Sequence, residues 1–220
     1  MLTIAPYTRD LVLIGGGHAH ALVLKAWGMD PLPGARLTVI NPGPTAPYTG
    51  MLPGYVAGHY RRNELEIDLV RLCRHAGARL VFDKAVHINQ ALREVTLETS
   101  GPVAYDLASI DVGITSKLDL LGFAKYGIGA KPLDLYAKQW GSFLEQVLRG
   151  QAAADVAVIG GGVAGCELAM AMAFALRSAG VSPRVTVIES GPYISVVSNK
   201  ARRLILNAMN DLGVVIKTCA

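Results

Sequence analysis

Cysteine is scarce in this sequence and badly placed for redox work: Cys73, Cys166 and Cys219 are odd in number, widely spaced, and none belongs to a C-x-x-C pair. That argues against a dithiol relay and a disulfide framework, and it points to a reducing compartment. Charge is sparse as well. Asp, Glu, Lys and Arg make up 17% of the 220 residues, the net charge is +4, and adjacent cations occur only at Arg61-Arg62 and Arg202-Arg203. A nucleic-acid binder is expected to carry a clustered basic stripe with aromatics nearby, so that class is set aside. The opening MLTIAPYTRD lacks the basic segment, apolar core and small-residue cleavage site of a secretory signal. No apolar run is long enough to span a bilayer. The longest, 163–179, is 17 residues and carries Glu167 and Arg177, whereas a span takes about 20; it reads as a buried helix. His18 and His20 have no carboxylate or cysteine beside them, so no metal site is expected.

What is abundant is apolar residues, 51% of the chain, enough for a sizeable core. The informative feature is a repeat. DLVLIGGGHAHALVLKA at 10–26 aligns with DVAVIGGGVAGCELAMA at 155–171, sharing the Asp, the Ile, the glycine triplet and two alanines. An apolar strand breaking into G-x-G-x-x-G and a helix is the turn that holds a dinucleotide pyrophosphate, and one copy alone is a weak signal. Two copies point to two Rossmann-like βαβ dinucleotide-binding units in an α/β chain, and so to a flavoprotein that exchanges electrons with a nicotinamide nucleotide.

The periodicity predicts strand 11–14, helix 18–29 and strand 36–40. Asp68 is a candidate cap for a helix reaching His75, with Gly77 as its left-handed stop. Strand 79–82, a hairpin from 84–90 and 93–99, and strand 107–112 follow. A helix ending at Leu148 leads into strand 156–159, helix 163–179, strand 184–188, helix 198–211 and strand 214–217. Residues 41–63 hold four prolines and four glycines in 23 positions, which predicts an ordered irregular loop of functional interest. The expected division is therefore a first domain, 1–148, with that loop and a small β hairpin, and a partial second domain, 149–220. A three-stranded parallel sheet leaves an edge unpaired, so a fragment with a missing C-terminal segment, or a homodimer covering the edge, is expected.

In the second unit Gly160 serves the turn geometry, Gly162 clears the way for the phosphates, and Gly165 lets the helix approach the strand. The helix N-terminus binds the phosphates through its N–H groups and dipole. Glu189, ending VTVIE, is placed to accept from the ribose hydroxyls and to repel a 2′-phosphate, which favours NAD over NADP. In the first unit Gly15 and Gly17 repeat the pattern, but His20 replaces the packing glycine and would hold the helix further from the strand. Asn41 stands where the acid should be, and His18 is a packing or phosphate-contact residue. Cys166 reads as a small core residue, although a thiolate would be stabilised at a helix start. Glu167 complements the dipole there.

With GGGHAH, PYTGMLPGYVAGHY at 47–60, YDLASIDVG at 105–113 and GGGVAGCE in place, the whole chain resembles the pyridine nucleotide-disulfide oxidoreductase superfamily. It is most similar to the NADH dehydrogenase-like branch, including the module fused ahead of selenide, water dikinase, a branch without the dithiol pair. The resemblance implies FAD at the first unit and NAD at the second. It implies that Gly15, Gly17 and Asn41 hold the adenosine diphosphate of FAD, that Gly113 marks a close pass by the cofactor, and that Tyr48–Gly54 lies towards the flavin. Lys131 is either near the flavin or a surface lysine. The family's later Gly-Asp motif has no counterpart before Ala220, so retention of FAD by this chain is in question. The implied reaction carries a hydride from NADH to the flavin and then electrons to a quinone or other acceptor, with no acid–base residue required. A cytoplasmic protein, peripheral to the inner membrane at full length, is implied. Two other readings stay open, a non-catalytic nucleotide-binding module linked to selenide, water dikinase, and a sulfide:quinone reductase-like enzyme with reactive cysteines.

Overall fold

The computed structural model describes residues 6–114, 120–195 and 198–220, the side chain of Ala124 excepted. In chain order the first elements are β1 (Arg9–Ile14), α1 (His18–Met29), β2 (Ala35–Asn41), β3 (Thr45–Pro47), α2 (Leu52–Val56), β4 (Glu66–Asp68), α3 (Leu69–Ala76) and β5 (Arg79–Phe82). Next are β6 (Ala85–Asn89), β7 (Glu94–Leu97), β8 (Val103–Ala104), β9 (Leu107–Ile110), α4 (Phe123–Tyr126) and α5 (Leu133–Leu148). The last are β10 (Asp155–Ile159), α6 (Val163–Ser178), β11 (Arg184–Ile188), α7 (Asn199–Asp211) and β12 (Val215–Lys217). The chain forms two compact units, Met1–Tyr48 with Glu66–Thr115, and Thr49–Leu65 with Ser116–Ala220. Apart from α4 and the elements inside 41–68, the predicted strands and helices form within one or two residues of their expected ends.

In the first unit a parallel sheet runs β5-β2-β1-β9. Leu13 packs with Leu37 and Val39 beneath Leu24 of α1 and Leu69 of α3. Val12 and Ile14 face the other way, with Ile40, onto Val95 and Leu97 of the antiparallel sheet β6-β7-β8. A strand covered on both faces reads as a continuous apolar run, which is why LVLI shows no alternation with polar residues. Asp68 caps α3 by accepting from the Arg71 N–H at 2.9 Å, and Gly77 ends it at φ +60°.

Asp83 fastens the end of β5 to the small sheet. Its buried carboxylate accepts from the Ser100 N–H at 2.7 Å, the Thr99 hydroxyl at 2.8 Å and the Lys84 N–H at 2.7 Å. Hydrogen bonds from Ser100 and then Thr99 hold this carboxyl well below the ordinary carboxylate range. A depressed native value stabilises the fold at any pH above the unfolded value of about 3.9, and that contribution fades as pH falls towards the native value. Asp83→Asn is therefore expected to melt below the wild type near neutral pH, with the gap closing below about pH 4. Thermal melts followed by circular dichroism test this, and a gap unchanged with pH would contradict it.

The second unit repeats the first. Its parallel sheet runs β10-β11-β12, and among the described residues β10 and β12 each pair on one side only. The register matches residue for residue: Asp10 lies beside Arg36 and Asp155 beside Arg184, forming ion pairs of 2.6 and 2.5 Å. Both pairs are partly solvated, so each contributes at most about 1 kcal/mol. Helix α6 is buried on two sides. Cys166, Ala169 and Ala173 meet Val185, Val187 and Met209, while Leu168, Met172 and Leu176 meet α5 and α2. A helix apolar all round is a core helix, and no helix among the described residues is long and apolar enough to cross a membrane.

Two expectations differ from this arrangement. Residues 41–63 are more regular than their glycines and prolines suggested: β3 pairs with β4, and Pro53 stands in the first turn of α2, where a missing N–H has no helical partner to lose. The observed units also do not divide at 148–149. Leu52, Val56 and Leu65 pack with Leu133, Tyr136 and Trp140 of α5 against α6, so 49–65 and α5 both belong to the second unit's core. Tyr136 is buried in that cluster, where burial raises its phenol's pKa and its hydroxyl has no hydrogen-bond partner among the described residues. Tyr136→Phe removes an unpaired polar atom and is expected to leave stability unchanged or raise it by about 1 kcal/mol. A clear fall in melting temperature would show that the hydroxyl is bonded.

Candidate functional site

The two glycine turns stand at the C-terminal ends of β1 and β10. Each opens with a glycine in the left-handed region, Gly15 at φ +90° and Gly160 at φ +104°, which other residues adopt only with strain. The Gly15 N–H donates to the Ile40 carbonyl and the Gly160 N–H to that of Ile188, both at 2.8 Å. The middle glycine of each turn donates to the residue ending the next strand. Gly16 N–H bonds Asn41 Oδ1 at 3.0 Å, and Gly161 N–H bonds Glu189 Oε2 at 2.7 Å. Asn41 and Glu189 thus occupy the equivalent places that their strand positions predicted.

The second turn is open towards a ligand. Among the described residues, no atom beyond its chain neighbours lies within 4 Å of where a Cβ on Gly162 would stand, and no side chain accepts from the N–H groups of Val163, Ala164 or Gly165. The buried Glu189 also accepts from the Gly191 N–H at 2.9 Å and the Ser190 hydroxyl at 3.2 Å. Gly191 first, then Gly161, lower its carboxyl pKa below the ordinary value, so it is anionic at neutral pH. Gly165 is where helix and turn touch: a Cβ there would meet the Gly160 carbonyl oxygen at 2.0 Å. Cys166 is fully buried, its thiol donating to the Gly161 carbonyl at 3.6 Å. Burial and then Glu189 raise its pKa, which makes it a core residue rather than a nucleophile. Glu167 is exposed.

The first turn has the same frame with different occupants. His20, at the position of Gly165, is buried; its Nδ1–H donates to the Gly15 carbonyl at 2.7 Å, and the Ser109 hydroxyl donates to Nε2 at 2.9 Å. The carbonyl can only accept, which fixes this tautomer. The close approach made by a glycine in the second turn is here a hydrogen bond. Asn41 donates its amide to the Gly43 and Thr45 carbonyls at 2.8 and 3.2 Å, so its only remaining hydrogen-bonding capacity is the second lone pair of Oδ1. His18 and Tyr48 come together with ring centroids 5.9 Å apart. Gly113 has φ +73°, a conformation that by itself favours glycine.

Sequence reasoning missed Asp111. Its carboxylate accepts from the Ala19 and His20 N–H groups at 3.0 and 3.2 Å, at the start of α1. The available signal was a lone carboxylate in an otherwise apolar strand ending, two residues before Gly113. Lys131 lies in the second unit, next to the start of α5. Among the described residues no group of three or more His, Cys, Asp or Glu could hold a metal ion.

Residues 9–220 match the sequence profile of the pyridine nucleotide-disulphide oxidoreductases. The chain belongs to that family. No curated protein matches the sequence. Among solved structures, the sulfide:quinone oxidoreductase of the hyperthermophilic bacterium Aquifex aeolicus is 18% identical with a TM-score of 0.78, over 96% of this chain and 51% of that one. NDH2 from Plasmodium falciparum, solved with NADH, gives 16% and 0.74 over 96% and 48%. The water-forming NADH oxidase from Lactobacillus brevis, also bound to NADH, gives 18% and 0.69 over 96% and 47%. At these identities the likeness is one of fold, and the chain spans about half the length of these relatives. The family's arrangement of two Rossmann-like units is the architecture described above.

Proposed function

We propose that the protein is an NADH-dependent flavin oxidoreductase of the NADH dehydrogenase-like branch, with NAD at the second turn and FAD at the first. The observation that carries the reading is the second turn itself, where among the described residues no side chain fills the space at Gly162 or takes the N–H donors at the start of α6, and where an anionic Glu189 is pinned to the same turn. The helix N-terminus stabilises the pyrophosphate. Glu189 accepts from the ribose hydroxyls with its remaining lone pairs, and its charge disfavours a 2′-phosphate. In the first unit Gly15, Gly17 and Asn41 repeat that frame for a second adenosine diphosphate, with His18, Tyr48 and Gly113 in the same unit. FAD, when bound, supplies an acceptor for the hydride of NADH and passes electrons on to a quinone or other acceptor. The chain's task is to hold the nucleotides in place, for which no proton-transferring side chain is needed.

The test is an absorbance spectrum of the purified protein with and without added FAD, then with NADH under anaerobic conditions. A bound flavin that bleaches with NADH supports the reading. NADH binding without flavin uptake favours a non-catalytic nucleotide-binding module instead. A sulfide:quinone reductase-like reading is weakened by the buried thiols, since burial pushes Cys73 up to about 11 and raises Cys166 too.

A further inference from the structure

We infer that Asp111 is a built-in competitor for the first phosphate turn: its carboxylate occupies the helix N-terminus, and a flavin dinucleotide binds there by displacing it. The inference rests on the reading of this turn as the FAD site. The N–H groups of Ala19 and His20, which an anion at the start of α1 would use, already donate to Asp111 Oδ2 at 3.0 and 3.2 Å. A Cβ on Gly17 would stand 2.3 Å from that carboxylate, whereas at Gly162 no side chain among the described residues takes the matching position. Gly17 is therefore a glycine because the Asp111 carboxylate fills the space a side chain would need.

The carboxylate is held there by the backbone of Asp111 itself, just past the end of β9. The Asp111 N–H donates to the Ile14 carbonyl at 2.8 Å and the Gly17 N–H to the Asp111 carbonyl at 3.2 Å. Two residues earlier, Ser109 bonds the His20 ring that has replaced the third glycine. His20 and Asp111 thus form one clamp between the helix start and the strand. No cation among the described residues pairs with Asp111. A pyrophosphate entering this turn meets occupied donors and a carboxylate already bound to the helix start.

The test titrates FAD into wild type, Asp111→Ala and Asp111→Asn, following the quenching of flavin fluorescence, with NADH titrated in parallel. Asn keeps an acceptor oxygen for the α1 N–H groups without the charge, so it decides the matter if the alanine variant fails to fold. Both variants are expected to bind FAD about tenfold more tightly or better, with NADH affinity unchanged. If wild type takes up FAD and the folded variants bind it equally or less tightly, the inference is overturned and the reading of the first turn stands. If none of the three binds FAD while all bind NADH, that reading fails and the inference with it.

Discussion

Gly165→Ala is expected to reduce NADH affinity by at least about tenfold and to lower the melting temperature, because overpacking of this kind costs about 1–3 kcal/mol. The added methyl would lie 2.0 Å from the Gly160 carbonyl oxygen, a backbone atom that cannot swing aside. Relief comes only by pushing α6 away from β10 or by deforming the turn, and those two parts together make the phosphate site. Fluorescence titration of NADH and a thermal melt measure both effects. Unchanged NADH affinity would show that the nucleotide does not use this turn. The first unit shows how a side chain is accommodated at the same position. His20 meets the Gly15 carbonyl through a ring nitrogen at 2.7 Å rather than through a Cβ. Alanine has no such atom to offer.

Glu189→Gln carries the second large effect. The carboxylate accepts from Gly161, Gly191 and the Ser190 hydroxyl at once, and a carboxamide has only one oxygen to give. One N–H in the turn then faces an NH2 group, and a ribose hydroxyl loses an anionic acceptor. NADH affinity is expected to fall by about tenfold or more, while NADPH, no longer repelled at its 2′-phosphate, loses less. Parallel titrations with the two nucleotides read the ratio directly. A preference for NADH that survives the substitution intact would remove Glu189 from the specificity of the site.

The legible parts of the molecule are those in which cause and effect are close together in the chain. Gly15 and Gly160 announce themselves because φ near +90° and +104° demands glycine at that residue. The caps at Asp68 and Gly77 follow for similar local reasons. The strands are legible because burial on both faces leaves an uninterrupted apolar run, and Asn41 and Glu189 because each ends such a run. The segment 49–65 was less legible: its apolar residues declared that they were buried but not against what. Leu52, Val56 and Leu65 turn out to complete the core around α5 and α6, far along the chain.

By itself, then, the sequence determined two strand-turn-helix units, their order, and the glycines that make their turns, since backbone angles and strand periodicity are written in neighbouring residues. Only the tertiary structure decided that residues 49–65 belong to the second unit and that Asp111 caps α1. Asp111 and Ala19 are 92 positions apart. A hydrogen bond across that separation depends on which strand lies beside β1, and the residues around Asp111 mark an unusual carboxylate without naming its partner.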